Sequence, residues 1–273
     1  MEPGELSVRV NQVGPPLASG VRLKGESPDG KASIVVLIHG YNNSYDEARS
    51  AYKVFLHSLQ EVAGFPIAIP VYEFFWPGDE TWKVYSALSF AGKIGVAVSA
   101  ADIFCNYLAT LRGSGGGPLE IHFVAHSLGN RLLLALLKSS ARFPTVVVRS
   151  VTLMAAAVPV GMVESGKALY AASQVPSFSQ VLCSRGDDVL HWAFPAGETA
   201  GGEGFFPEAV GRFGKPSGNW RSSYSFDSFG HGDYWKRPGP PALVLARLGI
   251  AAPRQTASSA TATRSTATRK VGS

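Results

Sequence analysis

Hydrophobic residues fall along this chain in two kinds of run. Largely apolar runs occupy residues 34–38, 67–75, 119–124, 147–154 and 180–183. They do not alternate with polar positions, which is the pattern of parallel strands covered on both faces. Between them, apolar positions recur at helical spacing over 46–62, 84–111 and 128–140. The resulting β-α-β-α order predicts an α/β architecture, a mostly parallel, doubly wound central sheet with helices on both faces. In such sheets functional residues collect at the C-terminal ends of the strands. Residues 6–13 can add edge strands, 223–226 a last strand and 241–248 a last helix.

Two stretches break the rhythm. Residues 155–179 are rich in Ala, Ser and Val, and residues 193–219 are rich in Gly, Phe and Pro without a sustained period. Both are expected to be flaps over a site within one domain covering 1–250. From 251 to 273 the chain is Ala, Ser, Thr and Arg and is expected to be a disordered basic tail.

Composition narrows the class. The chain has 273 residues, 45% hydrophobic and 16% charged, enough for a large buried core. Four of the five net positive charges come from Arg254, Arg264, Arg269 and Lys270 in the acid-free tail, so no nucleic-acid surface is expected on the near-neutral remainder. Cys105 and Cys183 lie far apart in apolar surroundings and read as buried thiols. No secretory signal or membrane span is seen in the pattern, and a cytoplasmic location is the expectation.

The chemistry centres on Val124-Ala125-His126-Ser127-Leu128-Gly129-Asn130. An apolar strand precedes this stretch and a leucine-rich helix follows it, so Ser127 stands at the apex of a sharp strand–turn–helix. The turn requires small residues two positions to either side, here Ala125 and Gly129. It also places the hydroxyl at a helix N-terminus, where free N–H groups favour developing negative charge.

A serine hydroxyl becomes a nucleophile when a base takes its proton and a carboxylate orients the base. Behind a serine elbow in an α/β sheet, the acid and then the base follow the serine in chain order. Of the six histidines, only His191 and His231 follow Ser127. His231, between glycines on a loop after the last strand, is the better placed, and His191 reads as packing near the site. The acid is expected in the turn after residues 180–183, where Asp187 is preferred and Asp188 is the alternative. Glu164 and Asp227 are remote fallbacks.

An oxyanion needs two N–H donors. The backbone of Leu128 is one, and the backbone of Tyr41, after the close-approach residue Gly40, is the other. His39, Gly40, Trp76, His126 and Trp192 are placed around the substrate pocket, with structural roles for His126 and His122. Phe75, Phe194, Phe205 and Phe206 extend a candidate aromatic wall. No cluster of His, Cys and carboxylates suggests a metal, and no cofactor is expected.

Taken together, the chain resembles an α/β-hydrolase. It looks like the branch of that superfamily with His-Gly-aromatic-Asn-Asn after the first central strand, Trp-Pro after the next, a His-Ser-Leu-Gly-Asn-Arg elbow and a Ser-x-x-Asp-x-x-Leu acid turn. These are residues 39–43, 76–77, 126–131 and 184–190 here, and the likeness spans 34–235. Alignment of the last motif favours Asp187. One departure is Val158-Pro159, where relatives carry an aspartate. Residues and resemblance imply a serine hydrolase with a Ser127-His231-Asp187 triad that cleaves small carboxylic esters with an apolar acyl part through an acyl-enzyme. An acyltransferase, an amidase and a non-catalytic binding member of the fold are the rivals.

Overall fold

A computed structural model describes residues 2–79 and 87–249 of the chain. Eight strands form one sheet: β1 (Gly4–Arg9), β2 (Leu17–Lys24), β3 (Ser33–Ile38), β4 (Val71–Phe75), β5 (Leu119–His126), β6 (Val146–Met154), β7 (Phe178–Cys183) and β8 (Ser222–Ser225). Their spatial order is β2-β1-β4-β3-β5-β6-β7-β8, and every neighbouring pair is parallel except β1 and β2. The helices are α1 (Tyr45–Ala63), α2 (Ala87–Leu108), α3 (Gly129–Lys138), α4 (Val160–Val163), α5 (Tyr170–Ser173), α6 (Phe194–Ala200), α7 (Val210–Phe213) and α8 (Gly239–Arg247). This is the mostly parallel, doubly wound α/β sheet that the apolar runs imply.

Local sequence explains the helix that leads away from the first central strand. Ser44 and Glu47 form a reciprocal capping box at the start of α1, and Gly64 ends the helix in the left-handed region at φ 73°. Between the caps, Ala48, Tyr52, Phe55, Leu59 and Ala63 make one buried stripe. Successive residues of β4 face opposite layers. Phe74 stacks on Phe104 of α2 with ring centroids 4.3 Å apart, whereas Phe75 meets Tyr52 of α1 edge-on at 5.5 Å. A fully buried side chain of this size contributes about 1.5–3 kcal/mol.

The structure trims several expected elements. The run 67–75 yields a strand only over Val71–Phe75, because Pro66 and Pro70 lack the N–H that a ladder needs. Pro70 serves as acceptor instead, taking the Val35 N–H at 2.9 Å. Of 6–13, only the part up to Arg9 is strand, and β1 is second from the edge of the sheet. The edge is β2, whose residues are exposed or half-buried, so it carries no apolar run. The helix expected over 84–111 ends at Leu108, and its first three positions lie outside the described residues. The expected tail, 251–273, also lies outside them. No helix among the described residues is long and apolar enough to cross a membrane.

A buried carboxyl interrupts the apolar run of β4. Glu73 lies in the middle of β4, only 4% exposed, in register beside Glu5 of β1. It lines a cleft of about 710 Å³ between α1 and the β1–β2 end of the sheet. Its Oε1 has no hydrogen-bond partner, and burial pushes its pKa up to about 7, with Glu5 adding repulsion against the attraction of Arg49.

A carboxyl with a raised folded-state pKa binds its proton more tightly folded than unfolded. Stability therefore falls as pH rises from the ordinary value of 4.5 through about 7. Glu73→Gln removes that penalty. Its melting temperature should match the wild type near pH 4.5, exceed it increasingly up to about pH 7, and keep a constant lead above. A lead that does not change with pH, measured by calorimetry, would show that Glu73 is not the group responsible.

Candidate active site

The elbow is a strained turn held by its neighbours. Ser127 has φ 53°, a left-handed conformation that costs a non-glycine residue about 1–3 kcal/mol. Its N–H donates to the Met154 carbonyl at the end of β6 (3.0 Å). Its carbonyl accepts from the Asn130 N–H (3.0 Å), the Ala157 N–H (3.2 Å) and the Asn130 side-chain Nδ2 (3.1 Å). The same Nδ2 donates to the Met154 carbonyl at 3.0 Å. Asn130 is fully buried, so it stitches the turn to the neighbouring strand away from water.

Two glycines let three segments converge here. A Cβ on Gly129 would lie 2.3 Å from the His39 carbonyl oxygen, so only glycine lets the start of α3 pass under the end of β3. A Cβ on Gly40 would lie 2.7 Å from the Ser127 Cβ. The loop after β3 thus runs against the serine, and the Asn42 N–H bonds the Gly78 carbonyl at 2.8 Å to fix its course.

Ser127, His231 and Asp187 meet in one hydrogen-bonded line. The Ser127 hydroxyl lies 2.8 Å from His231 Nε2, and His231 Nδ1 lies 2.8 Å from Asp187 Oδ2. Asp187 is fully buried, and its Oδ1 accepts the Leu190 N–H at 3.0 Å. In this arrangement the imidazole donates through Nδ1–H and presents Nε2 to the hydroxyl, the tautomer needed to accept a proton from serine. Asp188 is exposed and makes no side-chain cap. His191 stacks on Trp192 at 4.2 Å. Arg185 N and Ser225 Oγ donate to Asp227, which holds the turn from outside.

The turn also opens a helix end. Hydrogen bonding in the turn begins with Asn130 N–H to Ser127 O and Arg131 N–H to Leu128 O. The Leu128 and Gly129 N–H groups belong to the orphan donors of a helix N-terminus. Among the described residues, no group of three or more His, Cys, Asp or Glu side chains is placed to hold a metal ion.

The expected pocket residues separate into props and surface. Trp76 is fully buried, donates through Nε1 to the His39 carbonyl (2.9 Å) and stacks on the His39 ring at 5.6 Å. His39 is equally buried: its Nδ1–H donates to the Gly40 carbonyl (2.9 Å) and its Nε2 accepts the Trp76 N–H (3.3 Å). Both side chains stand beneath the loop after β3 rather than along a wall. Phe75 and Phe194 are core as well. Trp192, Phe205 and Phe206 are exposed at 65%, 86% and 55%. Tyr41 is half-buried and packs edge-on against Phe90 of α2 at 5.5 Å.

Burial keeps His39 and His126 neutral. It lowers the His39 pKa to about 3, opposed by the bond to Gly40. It lowers His126 to about 3 as well, with further repulsion from His231. His126 Nε2–H donates to the His231 carbonyl at 2.7 Å.

The two segments that interrupt the rhythm are knit together. Val160 N–H bonds Glu208 O (2.9 Å), Val210 N–H bonds Val158 O (2.9 Å) and Gly211 N–H bonds Ala156 O (2.9 Å). Arg131 of α3 reaches Glu203 at 3.2 Å. Nearby Glu198 is fully buried with neither carboxylate oxygen bonded, and burial raises its pKa to about 7. Sequence reading assigned no separate role to Asn130 or Ser184. Both stand in quoted motifs, and the signal for them was a small polar residue at a position that the turn buries.

Asn130→Ala should cost about 1–3 kcal/mol, because it strips one donor each from the Ser127 and Met154 carbonyls in a dry site. Gly129→Ala should cost at least as much by driving a methyl group into the His39 carbonyl. Urea unfolding measures both, and losses within about 0.5 kcal/mol would mean that the turn does not depend on these contacts.

Comparison with curated proteins gives no match. Among solved structures, LpqC, a poly(3-hydroxybutyrate) depolymerase from Bordetella parapertussis, is similar at 16% identity and a TM-score of 0.39, covering 85% of this chain and 83% of its own. The Tle1 effector bound to the VgrG spike of a type 6 secretion system is similar at 10% identity and a TM-score of 0.37, covering 78% of this chain and 52% of its own. The profile described as alpha/beta hydrolase of unknown function (DUF900) matches residues 23–194, more than half of the chain, and the protein belongs to that family.

Proposed function

We propose that the protein is a serine hydrolase that cleaves carboxylic esters through an acyl-enzyme. The observation that carries this reading is the unbroken line from the Ser127 hydroxyl through His231 to buried Asp187, each link 2.8 Å long, on a strained turn at a helix N-terminus. A serine that only began a helix would have no need of the left-handed turn or of an oriented imidazole.

The steps follow from the groups present. His231 Nε2 takes the Ser127 proton as Oγ attacks the ester carbonyl carbon. Asp187 holds the Nδ1–H tautomer and stabilises the imidazolium. The Leu128 and Tyr41 backbone N–H groups hold the oxyanion of the tetrahedral intermediate. His231 returns the proton to the leaving alkoxide, which departs as the alcohol. Water then loses a proton to His231 and attacks the acyl-enzyme, and the proton passes to Ser127 Oγ as the carboxylic acid is released.

A fluorophosphonate should form an adduct on Ser127, read by mass spectrometry, and the adduct should vanish in Ser127→Ala. A folded wild-type protein that stays unlabelled would favour a non-catalytic binding role. With an activated aryl ester, Ser127→Ala and His231→Ala should each lower turnover by ~10³-fold or more. Asp187→Asn should lower it by up to ~10⁴-fold, and Asp188→Asn should leave it near wild type. Equal losses at Asp187 and Asp188 would sink the assignment of the acid. Adding alcohol or amine acceptors during turnover separates hydrolysis from acyl transfer: product partition toward the acceptor at millimolar concentration marks a transferase.

A further inference from the structure

We infer that His126 is a positioning residue: its ring N–H pins the backbone of the loop that carries His231 to the strand that carries Ser127. The inference rests on the hydrolase reading and assigns a role to a group that the reaction steps leave unused.

The bond is placed where it has most leverage. His126 Nε2–H donates to the carbonyl of His231 itself, 2.7 Å away and 105 residues along the chain. That carbonyl shares a Cα with the imidazole that meets Ser127, so anchoring one fixes the root of the other. His126 is the residue before Ser127 and ends β5, so nucleophile and anchor leave the same rigid strand. The His126 ring also lies 4.8 Å from the His231 ring and 5.5 Å from Trp235, at the far end of the same loop.

The loop needs such an anchor. His231 stands between Gly230 and Gly232 and is only half-buried, and the strand that precedes it, β8, is four residues long at the edge of the sheet. A second buried hydroxyl does the matching task from the acid side. Ser184 Oγ–H donates to the Phe229 carbonyl at 2.7 Å and accepts the Gly186 N–H at 3.1 Å, which ties the base loop to the turn before Asp187. The base loop is thus clamped from the nucleophile side by His126 and from the acid side by Ser184.

The chemistry of His126 suits an anchor and not a second base. Burial holds it neutral, so it keeps one N–H and one lone pair through the working pH range. Its Nδ1 is buried with no hydrogen-bond partner, so the bond to the His231 carbonyl is the polar task that the ring performs. A group buried only to fill space would leave no such orphan atom, since an apolar ring would pack equally well without one.

The test separates the hydrogen bond from the packing. His126→Phe keeps the ring volume and loses the donor, whereas His126→Gln puts an amide N–H near the place of Nε2. In the phenylalanine variant the rate of fluorophosphonate labelling at Ser127 should fall by roughly 10²-fold, the scale of a misplaced catalytic group. Glutamine should recover most of it. Because labelling depends on the hydrolase reading, the deciding readout is independent of turnover: the low-field NMR signal of the His231 Nδ1 proton bonded to Asp187. That signal should be sharp in the wild type, broadened by solvent exchange in the phenylalanine variant and restored by glutamine. An unchanged His231 signal in His126→Phe overturns the inference whatever the labelling rate. An unlabelled wild type with the expected signal changes would instead count against the hydrolase reading alone. If the phenylalanine variant does not fold, His126→Ala takes its place, and added imidazole should restore the signal in the vacated space.

Discussion

The left-handed turn at Ser127 is the constraint on which the rest of the site depends. A non-glycine residue holds φ 53° only where its surroundings leave no relaxed alternative. Here the alternative is closed from three directions. The start of α3 passes under the end of β3 at a distance only Gly129 allows, Gly40 runs against the serine Cβ, and Asn130 joins the turn to β6. The sheet order matters for the same reason. β5 lies between β3 and β6, so the two strands that brace the elbow are its immediate neighbours.

A second consequence is electrostatic. Three histidines stand on the segments that meet at the turn, yet their surroundings differ. His39 and His126 are buried, are held neutral, and spend their ring N–H groups on backbone carbonyls. His231 is the half-buried one, and it alone of the three bonds to a carboxylate. Burial and partner, rather than residue type, separate the imidazole that faces the Ser127 hydroxyl from the two that brace the backbone around it. The same logic explains Trp76: an indole with its N–H on the His39 carbonyl is a strut for the loop after β3.

Much of this was legible before any coordinates. The elbow could be read because its geometry makes local demands: small residues beside Ser127, an apolar strand before it and a helix after it. The helix expected over 46–62 is α1, whose start at Tyr45 is fixed by the reciprocal cap of Ser44 and Glu47. Loop position favours His231 over His191, and the motif of the resemblance favours Asp187 over Asp188; the His231 ring lies within hydrogen-bonding distance of both Ser127 and Asp187. Less legible was β2, which carries no apolar run because it lies at the edge with solvent beside it. The roles of the aromatics were also hidden. Trp76, Phe75 and Phe194 have the composition of a pocket wall and the burial of a core.

What the sequence by itself determined are the features set by short-range physics: the strand–turn–helix at Ser127, the helix after the first central strand, and the parallel sheet implied by largely apolar runs. Only the tertiary structure decided which buried side chains act on one another across long stretches of chain. The bond from His126 to the His231 carbonyl spans 105 residues, and that from Ser184 to the Phe229 carbonyl spans 45. Such pairs leave no local pattern, because a single side-chain donor that meets a distant carbonyl imposes no periodicity on the residues around it.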